Sequence, residues 1–169
     1  RYEASSKVAL RGAVYRAFRA PTLNELYRPF TSKILEVRPN SRLGPETLKG
    51  GDVGVDVRTG ALRGQVNVFL DDVHDLVSRN AISSTPQLTV YQLINIGSTR
   101  SQGFEVMGDL ALGPRWTLSG GCTHTNAKVL SNPQNPPLEG HYVADIPENA
   151  ASLALRYRRA GGFDVTVRG

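Results

Sequence analysis

The chain has 169 residues, 40 % of them hydrophobic, and a formal net charge of +5. It holds no run of 18 apolar residues, which excludes a membrane-spanning helix but not a membrane barrel, whose strands are apolar on one side only. A single cysteine, Cys122, excludes an intramolecular disulfide framework, and the basic residues stand singly along the chain, which leaves no nucleic-acid footprint.

Residues 6–17 alternate, with Val8, Leu10, Gly12 and Val14 on one face and Lys7, Arg11 and Tyr15 on the other. That period of two predicts a strand with one apolar side. It stops at Arg19-Ala20-Pro21, because proline has no N–H for a ladder and restrains the residue before it. A long polar connection then runs to Leu43-Gly44-Pro45-Glu46. The second strand spans 47–58, with Val53, Val55 and Val57 opposed by Asp52, Asp56 and Arg58. Thr59-Gly60 reads as a tight turn. The third strand, 62–70, sets Leu62, Val66, Val68 and Leu70 against Arg63, Gln65 and Asn67.

Beyond it, Asp71 to Val77 breaks the alternation, which suggests a bulge or an irregular rim. Residues 78–90 read as a loop by their turn formers, Asn80, Ser83, Ser84, Thr85 and Pro86. The fourth strand, 91–112, carries Ile94, Ile96, Phe104, Val106, Leu110 and Leu112 on its apolar face and Glu105 and Asp109 opposite. After Gly113-Pro114, the fifth strand covers 115–127, with Trp116, Leu118 and Cys122 on the apolar side. A connection rich in proline and asparagine spans 128–143. The sixth strand is 148–158, residues 159–162 turn, and Phe163, Val165 and Val167 open a seventh. No helix is expected.

Several runs reach 11 residues or more, the length that crosses a bilayer. The connections also alternate in kind: 59–60, 113–114 and 159–162 are tight, whereas 18–46, 78–90 and 128–143 are long. Antiparallel strands place the tight turns at one end and the long loops at the other, which is the outer-membrane pattern. Trp116, Tyr157 and Phe163 lie on the apolar face near tight turns, as an interfacial girdle requires. Pattern alone leaves open whether the apolar face meets lipid or protein.

Phe18-Arg19-Ala20-Pro21-Thr22-Leu23-Asn24-Glu25-Leu26-Tyr27 resembles the FRAPtlnELY signature of TonB-dependent outer-membrane receptors. Residues 38–46, ending in Pro45-Glu46, resemble the family's NPxLxPE segment in degenerate form, with Arg38 and Gly44 replacing expected residues. Asn95-Ile96-Gly97 followed by Gly103-Phe104-Glu105 resembles its NxG…GxE strand. The resemblance implies an all-β fold: an antiparallel transmembrane β-barrel segment of about seven strands from a barrel of about 22. It implies location in the outer membrane and uptake of a scarce solute, a ferric siderophore before vitamin B12 or a sugar. The partners implied are outer-membrane lipid, a cargo such as a ferric chelate, and TonB–ExbB–ExbD acting through a plug. Residues 1–169 read as part of one barrel domain truncated at both ends, with the plug absent. The alternatives are a non-transporting outer-membrane barrel, porin or adhesin, and a soluble β-barrel binding module.

Catalytic readings find little support. Asp71, Asp72, His74 and Asp75 cluster, but the lone histidine has no partner at metal-ligand spacing. Asp75-Leu76-Val77 instead resembles a strand end of the family. No G-x-S-x-G, P-loop or H-E-x-x-H is present, so no enzyme, metal or cofactor is expected. Haem-uptake members of the family carry a histidine between the two loop motifs; residues 18–43 have none, which argues against haem and leaves open an axial tyrosine such as Tyr27. The motif residues Phe18, Arg19, Ala20, Pro21, Asn24, Glu25, Leu26, Tyr27, Pro45, Glu46, Asn95, Gly97, Gly103 and Glu105 are assigned structural roles. Arg28, Lys33, Arg38 and Arg42, in the variable half of the loop, are the expected ligand contacts.

Overall fold

A computed structural model describes residues 1–159 and 163–169. The elements in order are β1 (Tyr2–Glu3), β2 (Val8–Arg19), α1 (Leu23–Tyr27), β3 (Phe30–Thr31), β4 (Leu35–Arg38), β5 (Glu46–Arg58), β6 (Leu62–Ser84), β7 (Thr89–Ala111), β8 (Trp116–Ser131), a 3-10 turn (Pro136–Leu138), β9 (Asn149–Arg159) and β10 (Phe163–Arg168). They form one sheet in the order β1-β2-β5-β6-β7-β8-β9-β10. The six long strands β2 and β5 to β9, and the shorter β10, are antiparallel to their neighbours and follow one another in this order. The small pair β3–β4 joins the sheet from the side, with β4 running parallel to β7. The sheet does not close on itself.

Register aligns like with like across the wall. Leu10, Val55, Val66, Val106, Cys122 and Ala151 form one cross-strand row, and Gly12, Val53, Val68, Phe104, His124 and Asn149 the next. A row of Leu62, Leu110, Leu118 and Leu155 lies toward the tight turns. On the opposite face run Arg11, Gly54, Asn67, Glu105 and Thr123. The apolar face is the more exposed one: Val14 is 91 % accessible, Val53 63 % and Leu153 58 %. A soluble sheet buries that face, so this one is built for an apolar surrounding. Trp116 and Tyr157 stack with ring centroids 4.7 Å apart at the turn end of the band. The third aromatic expected in the girdle, Phe163, has its side chain outside the described residues, as does the turn at 160–162.

The compact core is small and lies mainly at the other end. Val37, Leu43, Val90, Ala127 and Val129 are buried there, together with Glu46 and Asn132. At this end the structure corrects three expectations. Residues 78–90 are not a loop: β6 continues to Ser84, β7 starts at Thr89, and a short turn closes where Thr85 N–H donates to the Leu88 carbonyl at 2.9 Å. The register shift falls between Ala81 and Ser83 rather than at 71–77, where pairing passes through with Asp75 in the left-handed region at φ 58°. A helix is present as well. Five residues long, α1 is started by a capping box in which the Thr22 hydroxyl accepts from Glu25 N–H and the Glu25 carboxylate accepts from Thr22 N–H.

Candidate functional site

The connection between β2 and β5 leaves the wall and returns to it, and its base is held by a polar clasp. Arg19, the last residue of β2, donates from Nε to Glu46 Oε2 at 2.7 Å and from Nη2 to Glu46 Oε1 at 2.6 Å. Its Nη1 reaches both carboxylate oxygens of Glu25, at 3.2 and 3.1 Å. Glu46 also accepts the Val77 N–H at 2.8 Å. One guanidinium thus joins the end of β2, the start of β5 and the helix, while Glu46 ties in β6. The fork geometry of arginine is what allows two carboxylates to be served at once.

Asn95 adds the fourth strand. Its Oδ1 accepts Gly44 N–H at 2.8 Å, and its Nδ2 donates to the carbonyls of Gly44 at 3.0 Å and Asp75 at 2.6 Å. Asn40 closes the far side: its N–H donates to the Glu25 carbonyl at 2.9 Å and its Nδ2 to the Leu93 carbonyl at 2.9 Å. Gln92 Nε2 donates to the Pro39 carbonyl at 2.8 Å. Arg19 holds the Glu46 carboxyl below its ordinary range. The Thr22 N–H, with help from Arg19, does the same for Glu25.

The structure therefore gathers Arg19, Glu25, Glu46 and Asn95 from three separate motifs. Around them, Ala20 and Pro21 lead into α1, and Asn24 accepts Arg28 N–H to end it. Leu26 is half-buried, whereas Phe18, Tyr27 and Pro45 are exposed. Gly97 belongs to the same end. A Cβ there would overlap the Ser131 carbonyl, so the close approach of β8 needs glycine. Gly103 and Glu105 stand apart, on the polar face of the wall. A Cβ at Gly103 would meet the Phe69 ring at 3.0 Å and overlap the His124 carbonyl.

Of the expected ligand contacts, Arg28, Lys33 and Arg42 are exposed and form no ion pair among the described residues. Arg38 is different, donating to Glu36 at 2.7 Å. The acidic cluster at 71–75 is dispersed across the sheet. Asp71 accepts from the Tyr15 hydroxyl at 2.8 Å on one face, while Asp72 takes both ends of Arg100 on the other. Thr22, Asn40 and Gln92 are the contributors that sequence reasoning passed over. The Thr22-x-x-Glu25 spacing carried the signal for the first; the others act through tertiary contacts with no local signature.

The sequence model of the family described as "TonB dependent receptor-like, beta-barrel" matches residues 1–169. Among curated protein sequences none matches the chain. Solved structures do. The siderophore receptor PirA from Pseudomonas aeruginosa superposes at a TM-score of 0.77 with 14 % identity, over 98 % of this chain and 31 % of that one. A mutant ferric enterobactin receptor from the same organism, in complex with enterobactin, gives 0.74 at 16 % identity, over 98 % and 26 %. The copper transporter OprC gives 0.68 at 20 % identity, over 94 % and 23 %. The chain thus spans less than a third of each of these structures, and at these identities the likeness is one of fold. With its full length matched by the family and its apolar rows facing outward, the chain belongs to the TonB-dependent receptor β-barrels.

Proposed function

We propose that this chain forms a sector of wall and external rim in an outer-membrane receptor that takes up a scarce solute through TonB. The observation that carries the reading is the inverted exposure of the wall, apolar side out, within a chain matched by the family from end to end. The tight turns at 59–61 and 112–115 share one end of the sheet and would face the periplasm. The 20–45 connection, the β6–β7 hairpin and the 132–148 segment share the other and would face outside. The clasp would fix the loop base, leaving Arg28, Lys33 and Arg42 free to attract an anionic ferric chelate. Siderophore and iron receptors among the structural neighbours support that cargo class. The role is transport rather than catalysis, with the plug and TonB–ExbB–ExbD supplying the coupling.

The test uses the complete receptor in cells. Cysteine in place of Lys33 should react with an impermeant maleimide on intact cells. Uptake of a labelled ferric chelate should fall several-fold when Arg28, Lys33 and Arg42 are all made glutamine. Labelling only after the outer membrane is disrupted would invert the topology, and unchanged uptake by the triple variant would remove these cations from cargo capture.

A further inference from the structure

The apolar face ends in a row of another kind. One step beyond Val14, Gly51, Leu70, Gln102 and Asn126, register places Arg16, Lys49, Asp72, Arg100 and Lys128 side by side on five adjacent strands. All five share the sheet face that carries Val55, Val66 and Val106. Asp72 is taken by Arg100 through two hydrogen bonds of 2.7 Å. Arg16, Lys49 and Lys128 form no ion pair among the described residues, and the Lys128 ammonium stands 5.3 Å from the centre of the Tyr142 ring.

The height of this row fits a membrane boundary. Trp116 and Tyr157 mark the other edge of the band. The twelve residue steps along β8 from Trp116 to Lys128 rise about 41 Å at ~3.4 Å each. A strand tilt of about 40° reduces that to about 31 Å, against an apolar band of about 25 Å on outer-membrane barrels, which sets the row about 6 Å beyond the band, at headgroup level. The cations therefore lie where lipid phosphates lie, and Tyr142 is an interfacial aromatic. At ~4.8 Å between strands, the row covers about 19 Å, wide enough for the two phosphates of one large glycolipid headgroup. A row meant only for water would have no reason to keep three unpaired cations in register on the lipid-facing side.

We propose that Arg16, Lys49 and Lys128, with Arg100 held in place by Asp72, bind the phosphates of an anionic glycolipid headgroup in the leaflet at the long-loop end. The proposal rests on the membrane-barrel reading and not on the identity of any cargo. It is tested on the complete receptor, purified in a zwitterionic detergent and mixed with bis-phosphorylated lipid A, with retained lipid counted by native mass spectrometry. The receptor should retain the bis-phosphorylated lipid and not its dephosphorylated form, and retention should survive chelation of divalent cations because the positive charge is the protein's own. Arg16→Gln, Lys49→Gln and Lys128→Gln together should lower retention about tenfold or more. Arg28→Gln, Lys33→Gln and Arg42→Gln, which remove the same charge from the loop, should leave it unchanged. Equal retention of the dephosphorylated lipid, loss on chelation, competition by inorganic phosphate, or an equal loss in the loop variant would each overturn the assignment. Should the row variant fail to fold, the comparison of the two lipids on the unaltered receptor still decides. Uptake is not the readout, so failure here is distinct from failure of the transport proposal.

Discussion

Arg19 and Glu46 set the energetics at the scale of single residues. The Glu46 side chain is 11 % exposed and that of Arg19 45 %, so their pairing is stronger than a surface bridge but still partly screened. Glu46→Gln keeps the shape while removing the charge and turning a donor toward Arg19. The expected loss is about 1–2 kcal/mol, local to the loop base. It should appear as faster hydrogen exchange at the amides of Leu26, Arg28 and Asn40, which bond within that base; unchanged exchange would show that the clasp does not hold it. The pH dependence follows from the same groups. Both carboxyls are depressed in the folded state, so their contribution is fully present above the ordinary glutamate range. It is lost as pH falls through the folded values, which lie beneath that range. Protection of those three amides should therefore be flat around neutrality and decline only in acid.

The strands separate what was legible in the sequence from what was not. Within the membrane band, alternation is enforced by the surroundings, and the faces of β5, the lower half of β6 and β8 follow from it directly. Outside the band no such constraint acts, so the upper half of β6, with Ser78, Asn80, Ser83 and Ser84, looks like loop while pairing as strand. The β4–β7 contact joins residues more than fifty positions apart and has no local sign at all. The same holds for the clasp: its members lie in recognisable motifs, but only the fold brings Arg19 to Glu46 and Asn95 to Gly44. The band itself predicts an asymmetry between neighbours on one strand. Val106→Arg, on the lipid-facing row, should cost about 2–4 kcal/mol near the midplane. Glu105→Arg, beside Asn67 and Thr123, should cost far less. Denaturant titration of the complete barrel checks this, and equal costs would contradict the assignment of faces.

As a whole, the molecule is an open curtain of strands with free edges at β1 and β10. In lipid each unpaired backbone group costs several kcal/mol, so both edges need partners there. The chain alone, refolded in detergent, should give no heat-modifiable band on a gel, whereas the complete receptor should. A discrete folded species from these residues alone would mean that the sheet can stand without neighbours. Folding in the complete barrel should be favoured by topology, since every long strand pairs with the next long strand in sequence and β3–β4 is a side excursion.

That excursion bears on how much of the loop can be exchanged. Both ends of the segment between Arg28 and Leu35 are moored, at the Asn24 carbonyl on one side and along β7 on the other. What lies between is expected to behave as an exchangeable cartridge, whose content can be rewritten without retooling the long strands. A transplant of residues 29–34 from another receptor of the family, leaving Arg19, Glu25, Asn40, Glu46 and both moorings untouched, is the smallest graft the architecture should accept.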